Sequence, residues 1–127
     1  MPADITALTT QTVLDTHCGQ IDTATAARMA LAQAARDQFM ARAVEQHAPR
    51  GVLLLAGNGH VRRDVGVPRW LTAATRQRTE AIGMLERATA SGGTSDSAAD
   101  AAAYDRREYS PPQTRADPCL AFKAPAH

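Results

Sequence analysis

Aromatic side chains are scarce in this sequence, which has two Phe, two Tyr and one Trp among its 127 residues. Alanine is abundant instead, a composition that suits helices but supplies few bulky side chains for a core. The length is sufficient for one compact domain and too short for two. We therefore expect a single domain, residues 1–127, with a thin core.

An excess of either charge is also absent, because 14 Lys and Arg residues stand against 13 Asp and Glu residues. No global field attracts nucleic acid or an anionic membrane, so neither is an expected partner. The first residues lack the basic and apolar regions of a signal peptide, and nowhere do about 18 apolar residues run together. Taken alone, the sequence predicts a soluble, unexported, cytoplasmic protein.

Cysteine occurs only at Cys18 and Cys119. Neither has a CxxC partner or a histidine at the spacing of zinc ligands, which argues against a zinc site. Two isolated thiols are by default reduced.

Residues 23–47 carry the strongest secondary-structure signal and predict one long helix. Asp22 precedes it as a cap, and Pro49 and Gly51 follow its end. Helical spacing leaves two interpretations open for one of its faces, either a solvated surface or a polar network. The residues of that face are Met29, Gln33, Arg36, Asp37 and Met40.

In the next residues, GVLLLAG at 51–57, the apolar residues no longer follow helical spacing but run consecutively. Five apolar residues between glycines fit a strand at about 52–56 that is buried on both faces. A long helix followed by such a strand favours an α/β layer with parallel pairing. Further on, residues 88–103 predict a flexible loop, and the proline-rich residues 110–127 predict an irregular tail.

Residues 57–60, GNGH, place His60 directly after the predicted strand. Ligands of open α/β sheets bind at the carboxyl ends of strands, where glycines permit close approach. A histidine there can ligate a metal, donate to an anion or transfer a proton. The alternative is a β-hairpin that turns at Asn58 and Gly59, and spacing alone does not decide between the two.

Several blocks resemble, in order, the ChaN-type haem-binding uptake proteins, a group that is related to the Tiki proteins and the erythromycin esterases. The blocks are HCG at 17–19, M…AQAARDQFMA at 29–41, AGNGHVRRDVGVP at 56–68, IGMLE at 82–86, YD at 104–105 and RADPC at 115–119.

The resemblance implies an α/β fold, with strands at about 80–86 and 104–109, and a role in haem or iron uptake with haem as cofactor. It implies a haem site around the loop that presents His60. The implied haem-binding residues are Gly57, Asn58, Gly59, His60, Arg62, Tyr104 and Tyr109, with Gln33, Arg36 and Asp37 as a supporting network.

In this family a tyrosine coordinates the iron, a histidine binds the propionates, and haems are paired between two subunits, which implies a homodimer. The family also implies an exported lipoprotein of the periplasm or outer membrane, and a disulfide between Cys18 and Cys119.

Family members are about twice this length, and their amino-terminal half carries a GE…H motif that faces the second histidine motif. We therefore expect a truncated, partial domain that corresponds to the carboxyl-terminal half. The alternatives are a hydrolase-like half-domain, an esterase or metallopeptidase that uses His60, and an inactive gene fragment. Enzymatic activity is the less favoured interpretation.

Overall fold

The computed structural model describes residues 1–86 and 102–121. These belong to two compact units, one made of residues 1–33 and 113–121 and the other of residues 34–86 and 102–112. The predicted loop at 88–103 lies outside the described residues except for its last two positions.

The first unit contains a helix that the sequence analysis did not predict, α1 (Ala3–Thr16), which buries Ile5 and Val13. After α1 the chain turns at Cys18, which forms a disulfide with Cys119 at a Cα–Cα distance of 5.6 Å. Cys119 lies in the one-turn helix Pro118–Ala121, which is the last described element.

The predicted long helix is confirmed as α2 (Thr23–His47). Asp22 caps it as expected, because its Oδ1 accepts a hydrogen bond of 2.6 Å from the main-chain N–H of Thr25. The helix ends in a 3-10 turn, Ala48–Arg50, which is followed by Gly51 at a φ of 81°. That left-handed conformation favours glycine and stops the helix.

The core of the second unit is small, as the shortage of aromatic residues predicts. One cluster of buried side chains in it consists of Ala41, Val67 and Leu71. Partly buried side chains that pack against this core are Met40, Val44, Leu54 and Trp70. The chain reaches it after a one-turn helix, α3 (Asn58–Val61), and continues through a 3-10 turn, Val67–Trp70, into a short helix, α4 (Ala73–Gln77).

Glu45 of α2 ties α4 to the long helix. Its carboxylate accepts hydrogen bonds of 2.7 Å from the main-chain N–H of Thr72 and from the hydroxyl of Thr75. These bonds satisfy donors at the beginning of α4 that would otherwise lack partners.

Two parallel strands, β1 (Ile82–Glu86) and β2 (Arg106–Ser110), pair in register from Ile82 with Arg106 to Glu86 with Ser110. They confirm the expected α/β class with strands near 80–86 and 104–109. The β2 side chains are mostly exposed, so the charges of Arg106 and Glu108 remain in water.

The expected buried strand at 52–56 is wrong. The segment has no strand partner among the described residues, and Leu53 and Leu55 are 85% and 87% exposed. A strand is stabilised only where a neighbouring main chain pairs with it. The main chain of β1 is paired at Met84 by a side chain and not by residues 52–56: the N–H and C=O of Met84 bind the side chain of Asn58. Hydrophobic patterning cannot show whether a pairing partner is present.

Within residues 1–86 and 102–121, no helix combines the length and apolarity that crossing a lipid bilayer requires.

Candidate functional site

The site loop, residues 57–66, begins where the chain turns at Gly57 into the one-turn helix α3 (Asn58–Val61). The main-chain N–H of His60 donates to the carbonyl oxygen of Gly57 at 2.9 Å. Asn58 and Gly59 are therefore part of a helical turn, and the hairpin alternative is wrong.

His60 forms a close pair with Asp37 of α2, with 2.6 Å between Nδ1 and Oδ1. The side chain of Asp37 is 8% exposed and that of His60 is 23% exposed. Burial raises the pKa of the Asp37 carboxyl, although the hydrogen bond with His60 and the charge of Arg36 act in the opposite direction. The site is thus an imidazole held against a buried carboxyl group.

The second ring nitrogen of His60, Nε2, is available to a ligand. Asp37 is the one hydrogen-bond partner of the His60 side chain among the described residues, and that side chain is 23% exposed. A Cβ at Gly57 would lie 4.0 Å from Cδ2 of the ring. A side chain at position 57 would therefore begin in contact with this edge of the imidazole.

Asn58 and Tyr104, two expected haem contacts, hold the loop on the sheet. The Asn58 amide donates to the carbonyl oxygen of Met84 at 2.6 Å and accepts from its N–H at 3.0 Å. The Tyr104 hydroxyl donates to the carbonyl oxygen of Asn58 at 3.2 Å. The Tyr104 ring packs on Gly83, where a Cβ would lie 2.9 Å from it.

Arg63 and Asp105 connect the end of the loop to the beginning of β1. The Arg63 guanidinium donates to the Asp105 carboxylate and to the carbonyl oxygen of Thr79, each at 2.7 Å. The Ala81 N–H donates to the same carboxylate at 2.7 Å. Burial alone would raise the pKa of Asp105, but the bonds from Arg63 and Ala81 hold it below its ordinary value.

Arg62, another expected haem contact, binds within the loop itself. Its guanidinium donates to both carboxylate oxygens of Asp64, at 3.0 and 2.7 Å. This bidentate pair fixes the direction of the chain after α3. Gly59 has open space where a side chain would lie.

Gly66 is a residue of the loop that the sequence analysis did not single out. A Cβ at this position would lie 2.6 Å from the carbonyl carbon of His60 and 2.8 Å from the carbonyl oxygen of Arg62. Only glycine lets the chain pass so close to the main chain of α3. Its place in the block DVGVP is the signal that could have identified it.

An apolar groove of about 650 Å³ runs beside the loop. Asn58 and Val61 of α3 contribute to its wall, together with Leu53, Leu55 and Met84, whereas His60 does not line it. Leu53, Leu55 and Met84 are all exposed. The loop therefore adjoins a large apolar surface.

The remaining expected residues are Tyr109, Gln33 and Arg36. Tyr109 is 40% exposed on β2. Gln33 is half-buried on α2 and Arg36 is exposed. Across residues 1–86 and 102–121, no three His, Cys, Asp or Glu side chains converge as a metal site would need.

Comparison with known protein families gives a match over more than half of the chain. The family described as haem-binding uptake, Tiki superfamily, ChaN matches residues 2–71, more than half of the chain. The matched range contains Asp37 and the whole site loop, whereas the blocks at 82–86, 104–105 and 115–119 lie outside it. No curated protein and no solved structure matches the sequence.

Proposed function

Because the chain belongs to the ChaN family of haem-binding uptake proteins in the Tiki superfamily, we propose that it binds haem at a site that includes the loop Gly57–His60 and serves haem or iron uptake. The observation that carries this proposal is the pair of Asp37 and His60. A buried carboxyl group holds one ring nitrogen at 2.6 Å and leaves the other accessible.

The residues present are compatible with haem in two respects. Imidazole nitrogen is a common ligand of haem iron and a good partner of its propionates. The porphyrin is large and apolar, and the exposed side chains of Leu53, Leu55 and Met84 offer apolar surface beside the loop. When bound, haem would supply an iron centre, while the protein supplies a ligand nitrogen and a hydrophobic surface.

The direct test is titration of the full chain with haemin while the Soret band is recorded. We expect the band to shift and sharpen, and His60→Ala to weaken binding by about tenfold or more, the loss of a contact of about 1.4 kcal/mol. His47→Ala is the matched control, because His47 is an exposed histidine at the end of α2. No spectral change with the unmodified chain, or equal affinities of the two variants, contradicts the proposal.

A second candidate is hydrolysis, which the same pair favours. An accessible Nε2 on a histidine oriented by a carboxyl group can accept a proton from water. Cleavage of an activated ester that His60→Ala abolishes and His47→Ala does not would support this candidate. Cleavage that survives His60→Ala would dismiss it.

We also propose that the chain resides in an oxidising compartment, as the family's export to the periplasm implies. The disulfide between Cys18 and Cys119 supports this, because such bonds persist only where thiols are not kept reduced. Thiol alkylation of the protein in cell fractions tests it. We expect protected cysteines, whereas two free thiols in the native protein would contradict the proposal.

Pairing of two subunits belongs to the same proposal. Its support is the exposed apolar surface of Leu53, Leu55 and Met84, since surfaces of this kind mark association sites. Sedimentation of the purified chain would show a concentration-dependent dimer. A monomer at all concentrations, with and without haemin, contradicts it.

A further inference from the structure

The main chain of residues 52–56 is open to pairing with another strand. Within residues 1–86 and 102–121, no group forms a hydrogen bond with the N–H or C=O groups of this segment. Such a free edge is a template for a second strand, and proteins commonly protect it with a charged side chain, a proline or a bulge. The sequence VLLLA contains neither a charged residue nor a proline.

The side chains of the same segment alternate in exposure. Leu53 and Leu55 are 85% and 87% exposed, whereas Leu54 packs against the buried core cluster and Ala56 is half-buried. An alternation with a period of two is the pattern of an extended chain that has one face on its domain and the other face free. The segment therefore has the arrangement of a strand and lacks a neighbour.

The sequence around the segment is nearly the same when it is read backwards, because GVLLLAG at 51–57 becomes GALLLVG. In an antiparallel pair of two identical segments centred on Leu54, Leu53 of each copy lies opposite Leu55 of the other. Val52 then lies opposite Ala56, and a glycine stands at each end. A two-fold axis generates this arrangement, since it brings the same patch of both copies together. The segment is thus complementary to itself in size, and no charges oppose each other.

We propose that two copies of this chain associate by pairing their residues 52–56 as antiparallel strands across a two-fold axis. This rests on the proposed pairing of two subunits and specifies its surface and its register. The N–H and C=O groups of each segment bind those of the other, and the side chains of Leu53 and Leu55 from both copies form a cluster of four leucines. A small apolar ligand could cover these leucines but would leave the main-chain groups unpaired.

The size of the contact determines its expected strength. Five residues a side are far fewer than the roughly 20–30 of a standard interface. We therefore expect a reversible dimer with a dissociation constant of about 10 µM or higher.

The register is tested by cross-linking two variants of the full chain in the absence of haemin. The native cysteines are bonded to each other, so an introduced thiol is the only free one. Directly opposite residues of an antiparallel pair have Cβ atoms about 4.5–5.5 Å apart, from which a disulfide forms with a small adjustment. Leu53→Cys mixed with tagged Leu55→Cys and oxidised with diamide should therefore give a disulfide-linked heterodimer.

Two controls accompany this experiment. Either variant oxidised alone should give about tenfold less dimer, because two copies of the same position lie on a diagonal of the pair. Phe39→Cys mixed with tagged Leu55→Cys should give equally little, although Phe39 of α2 is 73% exposed and as accessible as the leucines. Circular dichroism checks that each variant folds.

Hydrogen exchange of the unmodified chain tests whether the main chain takes part. In an antiparallel pair the N–H groups of alternate residues donate across the pair, and those between them point away. At ten times the dissociation constant about four-fifths of the chains are dimeric, so alternate amides of residues 52–56 should exchange about fivefold more slowly than at high dilution. Rates that do not depend on concentration would mean that the side chains alone make the contact.

The outcomes separate this inference from the proposed function. If the chain sediments as a monomer at all concentrations, the proposed pairing of subunits fails and this inference fails with it, whereas haem binding is decided by the haemin titration. If a dimer forms but the mixed variants give no heterodimer, or if Phe39→Cys cross-links equally well, the pairing of subunits stands and the pairing of strands is wrong. A heterodimer together with slowed exchange of alternate amides supports the inference.

Discussion

Two neighbouring segments differ in which side chains they bury. The apolar segment, residues 52–56, exposes apolar side chains, whereas the site loop that follows it partly buries polar ones. Leu53 and Leu55 are the most exposed large hydrophobic side chains among the described residues, and the main chain of the apolar segment has no hydrogen-bond partner there. In the site loop, Asn58 and His60 are half-buried and both are hydrogen-bonded.

The difference follows from how each kind of residue is stabilised. The polar side chains of the loop find partners on α2, on β1 and within the loop itself, so the described residues are sufficient to fix them. An apolar strand needs a neighbouring main chain and a second apolar face, and neither covers residues 52–56 in the described part of the chain. The comparison predicts that substitutions in the loop affect stability strongly and substitutions in the apolar segment weakly.

The largest effect is expected from Gly66→Ala. The added Cβ would lie 2.6 Å from the carbonyl carbon of His60, and a main chain cannot yield as a flexible side chain can. We expect a loss of about 3 kcal/mol in the free energy of unfolding, measured by urea denaturation. Gly59→Ala is the matched control, because nothing lies within 4 Å of its Cβ position. Equal stabilities of the two variants would show that the close approach at Gly66 does not exist in solution.

Asn58→Ala should have the next largest effect. The substitution removes the side-chain amide that binds the N–H and C=O of Met84. We expect the free energy of unfolding to fall by about 2 kcal/mol. Urea denaturation gives the stability, and hydrogen exchange of the Met84 amide should accelerate. Gln77→Ala, which changes an exposed polar residue at the end of α4, should alter neither quantity. Unchanged exchange in Asn58→Ala would mean that another group pairs with Met84.

Asp105 provides a smaller, pH-dependent test of how the loop is attached to the sheet. Its pKa in the folded protein is lowered, so its stabilisation is present above the ordinary value of 3.8 and is lost as the pH falls through the folded value. At pH 7 we expect Asp105→Asn to cost less than about 1 kcal/mol, since solvent screens this partly exposed pair with Arg63.

The urea midpoints of the Asp105→Asn variant and the unmodified chain should therefore converge as the pH falls below 3.8. Arg42→Gln, a change at an exposed position of α2 that leaves the bond between Arg63 and Asp105 in place, should show no such convergence. A gap between the midpoints that persists at low pH would place the stabilisation in packing and not in the charge of Asp105.

Local signals in the sequence located the long helix α2 but not α1, and they did not identify which distant segments pair. The cap at Asp22 and the glycine after α2 are local signals, and they located that helix. The pairing of Asp37 with His60 spans 23 positions, so spacing does not indicate it, and the resemblance placed Asp37 only in a supporting network. The run of apolar residues at 52–56 indicates a segment that would be stable as a buried strand. It cannot indicate whether another strand is present to pair with it. Helical spacing on α2 likewise left the exposure of its polar face open.

The smallest change in stability is expected in the apolar segment, from Leu55→Ser. Because this side chain is 87% exposed, its truncation removes little buried surface, and the free energy of unfolding should change by less than about 0.5 kcal/mol. Leu71→Ala is the matched contrast, since Leu71 is 6% exposed and its truncation should cost about 2–5 kcal/mol. The same Leu55→Ser change should reduce self-association in sedimentation, because it removes apolar surface that only a partner can cover. A loss from Leu55→Ser as large as that from Leu71→Ala would mean that the segment is buried in solution, and the contrast between the two segments would then disappear.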